Sequence, residues 1–77
     1  MIELKVGDYL LLYDKGLYTV EQVDEIKVFE ETCVITKTGR KIRYSYAVLL
    51  HMAYLDACDE NRIIIVEGVH IYTPEKL

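Results

Sequence analysis

Alternation of apolar and polar side chains along the chain is clearest between Thr32 and Tyr46. Residues 32–36 form a β-branched run, and residues 41–46 alternate polar with apolar side chains, which is typical of a half-buried strand. Gly39 lies between these runs and supplies the positive φ that a tight reversal needs. The sequence therefore predicts a β-hairpin here.

The loop length decides which side chains of this hairpin face the core. A two-residue Thr-Gly loop and a four-residue loop both place Ile35 opposite Ile42 and Cys33 opposite Tyr44. A three-residue loop would instead place Ile35 opposite Lys41, which burial of one face disfavours. We therefore expect the first register, with the basic side chains of the second strand directed toward water.

Two further strands are predicted before the hairpin. Residues 9–13 are apolar on both faces and follow a turn at residues 7–8, and residues 14–16 form the next turn. Residues 17–28 predict one long strand whose alternation changes phase. A β-bulge within residues 21–24 would absorb the extra residue and bend the strand. Before these strands, residues 1–6 are either a short edge strand or a lead-in.

The region after the hairpin combines a helix with two short strands. Residues 47–58 are rich in good helix formers, with Ser45 near the N-cap and Asn61 near the end. This helix has almost no polar face, so it is expected to be buried nearly all round or to meet another protein on one side. Residues 62–66 predict an apolar strand covered on both faces, and residues 69–72 its returning partner.

These elements predict the fold class. Five or six short strands and a single short helix in 77 residues indicate one mainly β domain, built as a small, strongly bent antiparallel sheet or barrel. The hydrophobic fraction of 52% is high for so small a chain. Part of the apolar surface is therefore expected to lie against another subunit or a partner, which predicts a homo-oligomer.

Charge and cysteine usage restrict the partners and the compartment. The net charge of −4 argues against binding nucleic acid or anionic membranes through bulk charge, although it leaves room for a local basic patch. The two cysteines are too few for a disulfide scaffold, and the start of the chain lacks the pattern of a signal peptide. The longest apolar runs fall far short of the roughly 20 residues that span a bilayer. We expect a reduced, cytoplasmic protein that does not bind membranes.

The N-terminal half resembles a known superfamily. Residues 6–11 (Val-Gly-Asp-Tyr-Leu-Leu) followed by residues 16–20 (Gly-Leu-Tyr-Thr-Val) resemble the first two strands of SH3-like small barrels, which include KOW, Tudor and small phage barrel proteins. The resemblance covers residues 6–46, whereas the helix and the last strand pair depart from a minimal barrel. It implies a binding module for peptides, nucleic acids or other subunits, and it transfers no site residues.

Basic residues cluster at the tip of the predicted hairpin. Lys37, Arg40, Lys41 and Arg43 lie within seven positions, without an acidic residue between Thr32 and Tyr46. Such a tip could bind phosphates, with a neighbouring tyrosine stacking on a base. The alternative is a solvated hairpin whose lysines protect an exposed sheet edge.

Acidic residues and tyrosines form two further candidate surfaces. Acidic side chains could imitate nucleic-acid phosphates toward a basic partner, or could simply solvate loops and a helix end. They concentrate at Asp24, Glu25, Glu30, Glu31, Asp56, Asp59 and Glu60. Tyr9, Tyr13 and Tyr18 would lie close together if the first two strands pair, forming either an interface rim or the edge of the core.

Residue types with catalytic or metal-binding chemistry are few. Cys33, His51, Cys58 and His70 are of zinc-ligand type, but no two of them have the spacing of a ligand pair such as CxxC. Cys33 is expected to face the core, where a thiol is inert. Neither a glycine-rich phosphate loop nor a nucleophile motif is present. The sequence therefore predicts a protein without enzymatic activity, metal or cofactor.

The function that these features favour is a small cytoplasmic protein-binding or regulatory module that associates with itself through the helix or through residues 63–66. An inhibitor of a host defence protein, encoded by a phage or mobile element, would be one such module. The predicted interface residues are Tyr9, Tyr13, Tyr18, Leu49, Met52, Leu55, Ile64, Glu30 and Glu31. The alternatives are a KOW-like nucleic-acid binder using the basic residues 37–43, and a structural subunit of a larger assembly.

Overall fold

The described residues of the computed structural model, 3–28 and 30–74, contain six strands and one helix. The elements are β1 (Tyr9–Asp14), β2 (Leu17–Val28), β3 (Thr32–Thr36), β4 (Lys41–Arg43), α1 (Tyr44–Asp59), β5 (Ile63–Val66) and β6 (Val69–Tyr72). Strands β1 to β4 form one curled antiparallel sheet in chain order, and β5 pairs with β6 in a separate two-stranded sheet. The predicted mainly β class, with one helix and a bent antiparallel sheet, is confirmed.

Two tight hairpins use the same turn chemistry. The turn between β1 and β2 is formed by Lys15 and Gly16, and the turn between β5 and β6 by Glu67 and Gly68. All four residues have φ between 50 and 81°. Left-handed conformation at both central residues defines the type I′ turn, whose twist matches that of the flanking strands. Both turns lie where the sequence predicts them.

The predicted β-bulge in the long second strand is confirmed. Val23 pairs with Thr36, whereas Glu25 pairs with Ile35, so Asp24 is the extra residue on β2. A bulge increases the local twist and bends the strand. The bulge lies where the pairing partner of β2 changes from β1, at residues 17–22, to β3, at residues 23–28.

The segment before β1 is a lead-in that closes one end of the core. Leu4 is buried, and its N–H donates to the hydroxyl of Tyr44 at 2.9 Å. The N–H of Gly7 donates to the main-chain oxygen of Val23 at 2.9 Å. Residues 3–8 contain no strand, and residues 1–2 of the predicted N-terminal segment lie outside the described residues.

The predicted register of the β3–β4 hairpin is wrong by one residue. Ile35 pairs with Lys41, and Val34 pairs with Ile42. The loop has three residues, because the N–H of Thr36 donates to the main-chain oxygen of Arg40 at 2.9 Å. In loops of this length the third residue is left-handed, and here it is Gly39, with φ of 88°.

This register follows from which side chains the core accepts. Val34 and Ile42 form the core face together with Thr36, which is only 1% exposed, whereas the predicted register would place Thr36 on the face of the basic side chains. Cys33 is buried, as predicted, but it lies opposite Arg43 on the other face of the sheet.

The helix starts earlier than the sequence predicts. It begins at Tyr44, so the final residues of the predicted strand 41–46 belong to α1. Arg43 is the N-cap residue and makes no side-chain cap, and Ser45 lies inside the first turn. Tyr46, expected on the core side of a strand, is 57% exposed.

The end of the helix agrees with the prediction. The N–H of Asn61 donates to the main-chain oxygen of Cys58 at 3.0 Å, and that of Arg62 to Ala57 at 2.8 Å. Asn61 has φ of 58°. These two hydrogen bonds and the left-handed residue form a Schellman motif, which explains why an asparagine stands here.

The core fills the concave side of the curled sheet. Its fully buried members are Leu4, Leu10, Leu12, Val23, Val34, Ile42 and Ala47. The first half of α1 covers them with Tyr44, Val48 and Leu50. The helix is not buried all round, because only Ala47 and Ala57 are fully buried within it.

The β5–β6 hairpin packs against the sheet through aromatic contacts. The ring centroids of Tyr9 and His70 are 4.0 Å apart, and those of Tyr18 and Tyr72 are 4.6 Å apart. The prediction that residues 62–66 form a strand covered on both faces is wrong, since Val66 is 48% exposed. The face that carries His70 and Tyr72 contacts the sheet, although Ile65, near the turn on that face, is 65% exposed.

Candidate functional site

The outer face of the β5–β6 hairpin is aliphatic throughout. His70 and Tyr72 point inward, and cross-strand pairing places Ile65 and Ile63 on that same inner face. The outer face therefore consists of Ile64, Val66, Val69 and Ile71. Ile64 is half-buried, and the other three side chains are 40 to 58% exposed. We call these four residues the hairpin face.

A second apolar surface lies on the solvent side of α1. Leu49, Met52 and Leu55 are 40 to 59% exposed, as expected if this side of the helix meets another protein. Asp56 and Asp59 are exposed near the helix end. Among the described residues, no helix is long and apolar enough to cross a membrane.

Two of the three predicted interface tyrosines are neighbours. Tyr13 lies opposite Tyr18 across β1 and β2, with ring centroids 4.8 Å apart. Their side chains are 63% and 47% exposed, respectively. Tyr9 is at the opposite end of β1, where it stacks on Tyr54 at 5.5 Å. The tyrosines therefore do not form a single cluster.

Tyr9 and Tyr54 form an aromatic group beneath the β5–β6 hairpin. Two histidines contact this group, a role that sequence spacing does not reveal. Nδ1 of His51 donates to the main-chain oxygen of Tyr9 at 2.7 Å, and Nδ1 of His70 lies 3.5 Å from the hydroxyl of Tyr54. Burial, assisted by the neighbouring Cys58 thiol, raises the pKa of Tyr54 to about 12. Tyr54 is therefore neutral at ordinary pH, and the group packs the helix and the β5–β6 hairpin against β1.

A nearly buried carboxylate organises the β3–β4 loop. The side chain of Glu21 is 8% exposed and accepts hydrogen bonds from the hydroxyls of Thr36 and Thr38, both at 2.6 Å. Nε of Arg40 donates to its other oxygen at 3.3 Å. Burial alone would raise the pKa of Glu21, but these hydrogen bonds and the Arg40 charge outweigh it and lower the pKa.

The basic tip predicted from the sequence is partly neutralised. Arg40 contacts Glu21 and also lies 3.8 Å from a carboxylate oxygen of Asp14, and Arg43 lies 3.4 Å from Glu31. Lys37 and Lys41 are exposed, and within residues 3–28 and 30–74 neither has an ion-pair partner. The tip therefore presents less net charge than the sequence suggests.

A groove of about 310 Å³ separates the two edge strands of the curled sheet. Its polar lining consists of three basic side chains, Arg40, Lys41 and Arg43, and the carboxylate of Asp14. Its apolar lining includes Leu12, Ile42 and Leu50, and the rim includes Tyr13 and Tyr46. Three of the four predicted basic residues therefore belong to one concave site, and Lys37 does not.

Protein-family models, curated proteins and solved structures gave no match to this chain. The resemblance of residues 6–46 to SH3-like barrels therefore stays a prediction.

The remaining candidate residues are dispersed. Glu30 is exposed between β2 and β3 beside Glu31, which contacts Arg43. Cys33 and Cys58 are not bonded to each other, and the Cys33 thiol is directed at the main-chain oxygen of Glu31. Among the described residues, no three histidine, cysteine or acidic side chains are placed to hold a metal ion.

The groove and the hairpin face are the sites that sequence reasoning missed. The strand predicted to self-associate, residues 63–66, includes Ile64 and Val66, whereas Val69 and Ile71 were not predicted as interface residues. Alternation over residues 69–72 and the Glu-Gly turn could have revealed the other members, because both strands would then place their aliphatic residues on one face. The groove has no sequence signal, since it forms only when the sheet curls.

Proposed function

We propose that this protein is a self-associating protein-binding module and that a second copy of the chain binds its hairpin face. The observation that carries this proposal is that all four side chains of the hairpin face are aliphatic and that three are substantially exposed. Exposed apolar patches on small proteins mark interaction sites more often than scattered single residues do.

Charge favours a second copy as the occupant. Each chain carries a net charge of −4, so two copies repel each other unless they meet where charge is absent. The hairpin face is uncharged and therefore complementary to itself, as a two-fold symmetric interface requires. The helix surface is less suitable, because Asp56 and Asp59 would approach their own copies there.

The construction of the hairpin also supports this contact. A two-stranded sheet is marginal on its own, and here only part of the inner face, at His70 and Tyr72, contacts the rest of the fold. Burying three half-exposed aliphatic side chains on each copy would contribute on the order of 1 kcal/mol apiece. Association would thus stabilise the least supported sheet of the fold.

The test is the mass in solution, measured by light scattering across a concentration series at moderate salt. We expect the wild-type chain to be a dimer and the triple variant Val66→Thr, Val69→Thr, Ile71→Thr to be a monomer. Threonine keeps the β-branched shape and strand propensity, so the circular dichroism spectrum should be unchanged.

A matched control is available on the other face of the same hairpin. Ile65 is 65% exposed but lies on the inner face, so Ile65→Thr should leave the dimer intact. A wild-type chain that is monomeric throughout the series would overturn the proposal. So would a triple variant that stays dimeric.

A further inference from the structure

Within residues 3–28 and 30–74, no strand pairs with the outer edge of β1, which therefore offers open main-chain groups. Asp14 and Leu17 close the two-residue loop between β1 and β2. In antiparallel pairing, alternate residues direct their N–H and C=O groups toward or away from the partner strand. Because the closing pair of such a loop points inward, the main-chain groups of Leu11 and Tyr13 point away from β2.

The outer edge of β4 is open in the same way. The hydrogen bond from Thr36 to Arg40 identifies that pair as one whose main-chain groups point toward each other. One residue further along, the N–H and C=O of Lys41 therefore point away from β3. Since β1 and β4 are the two edges of the sheet and Tyr13 and Lys41 line the groove, the open main-chain groups of these two residues border it.

The side chains that line the groove determine which side chains an added strand would need. Ile42 faces the core, near the apolar lining from Leu12 and Leu50, whereas Lys41 and Arg43 lie on the opposite face of β4. A strand in the groove would direct alternate side chains to these two environments. Apolar residues fit the first environment, and carboxylates fit the second.

We propose that this groove binds an extended acidic segment of a partner protein, in which carboxylate and aliphatic residues alternate, as an added β-strand. Charge complementarity supports this occupant, because Lys41 has no acidic partner among the described residues and Arg43 makes only one exposed contact, to Glu31, in an otherwise acidic protein. Main-chain hydrogen bonds to the open edges would supply affinity, and the alternating environments would supply specificity. The groove shares no residue with the hairpin face, so this inference does not depend on self-association.

The geometry favours a peptide over a nucleic acid in this groove. Tyr13 and Tyr46 are both exposed on the rim, but the ring of Tyr13 already packs against Tyr18, so only Tyr46 is without an aromatic neighbour among the described residues. Arg40 already contacts two acidic side chains and Arg43 a third, so the groove lacks the row of free cations that successive phosphates require. A peptide that forms main-chain hydrogen bonds needs neither a second stacking ring nor a row of free cations.

The experiment measures fluorescence anisotropy of labelled peptides of about seven residues, a typical strand length. The first peptide alternates glutamate and valine, and the second has the same composition with all glutamates before all valines. A third repeats the alternating sequence with every second amide N-methylated. We expect binding of the alternating peptide only, because the block peptide cannot match the two environments and the methylated one cannot pair with an edge.

Two variants connect this binding to the groove. Lys41→Gln with Arg43→Gln should weaken the alternating peptide about three- to tenfold, as expected for losing two exposed ion pairs. Lys37→Gln is the matched control, because Lys37 lies on the same hairpin outside the groove, and it should leave affinity unchanged.

Three results would overturn the inference. Equal binding of the block peptide would show attraction by charge alone, without strand addition. Equal weakening by Lys37→Gln would show that the groove is not the site. Binding of a labelled single-stranded oligothymidylate, lost in the double variant while no peptide binds, would assign the groove to nucleic acid instead.

Discussion

The hydroxyl of Thr36 donates a 2.6 Å hydrogen bond to the carboxylate of Glu21, fifteen residues earlier in the chain. Thr36 is 1% exposed, and the same hydroxyl accepts the main-chain N–H of Arg40 at 3.1 Å. These contacts satisfy a polar side chain inside the core and hold the three-residue loop closed. The relationship explains why a threonine, and not Ile35, shares the core face with Val34.

Removing the Thr36 hydroxyl should destabilise the protein. The variant Thr36→Val keeps the shape and strand propensity but leaves the nearly buried Glu21 carboxylate with one hydrogen bond fewer. We expect a loss of about 1 to 3 kcal/mol in the free energy of unfolding, measured by urea denaturation at neutral pH. Thr38→Val, at an exposed position of the same network, should cost less. If the two variants lost the same free energy of unfolding, burial of the Thr36 hydroxyl could not be the reason for the loss.

The lowered pKa of Glu21 makes part of the stability sensitive to acid. Because the carboxyl has a lower pKa in the folded protein than in the unfolded chain, the unfolded state binds the proton more readily. The contribution is present above the ordinary glutamate pKa and is lost as the pH falls through the lowered folded value. Urea denaturation between pH 6 and 3, roughly the range over which carboxyl groups titrate, should therefore show a shallower decline for Glu21→Gln than for the wild type. Parallel curves for the two proteins would refute this.

Elements whose signal is local could be predicted from the sequence. The bulge followed from the phase change around Val23, and the end of α1 followed from Asn61, which is tolerant of the left-handed conformation. The two type I′ turns followed from Gly16 and Gly68. In each case the residues that decide the structure lie within a few positions of it.

Features that depend on distant residues could not be predicted. Gly39 fits loops of several lengths, and the choice among them rests on the contact between Thr36 and Glu21. Leu49 and Met52 are exposed, as the second of the two predicted arrangements of the helix requires, but the groove beside Lys41 depends on the curl of the whole sheet. Register and concave sites are tertiary properties, so alternation alone cannot determine them.

The turn between β5 and β6 can be improved by substitution. Glu67 has φ of 51°, which costs a side chain of its type more than it costs asparagine. Glu67→Asn should therefore stabilise the protein by about 0.5 to 1 kcal/mol in thermal or urea unfolding. Glu30→Asn removes the same charge at an exposed position outside this turn, and it serves as the control. An equal gain from both variants would attribute the effect to net charge.

The aromatic contacts should determine how firmly the β5–β6 hairpin is attached. His70→Ala removes the ring that contacts Tyr9 at 4.0 Å and Tyr54 at 5.9 Å. Amide hydrogen exchange should then accelerate in β5 and β6 while β2 and β3 keep their protection, because local opening follows local contacts. Ile65→Thr, on the same inner face but largely exposed, should leave exchange unchanged. Uniform acceleration across both sheets would indicate global destabilisation instead.

Self-association through the hairpin face should make stability depend on protein concentration. A dimer that forms only from folded chains stabilises them by mass action, so the melting temperature of the wild type should rise with concentration. The triple variant Val66→Thr, Val69→Thr, Ile71→Thr should lose this dependence, because its hairpin faces no longer bury aliphatic surface against each other. Ile65→Thr should retain it. Calorimetry or circular dichroism over a hundredfold concentration range provides the measurement, and melting temperatures that do not change for the wild type would contradict a dimer coupled to folding.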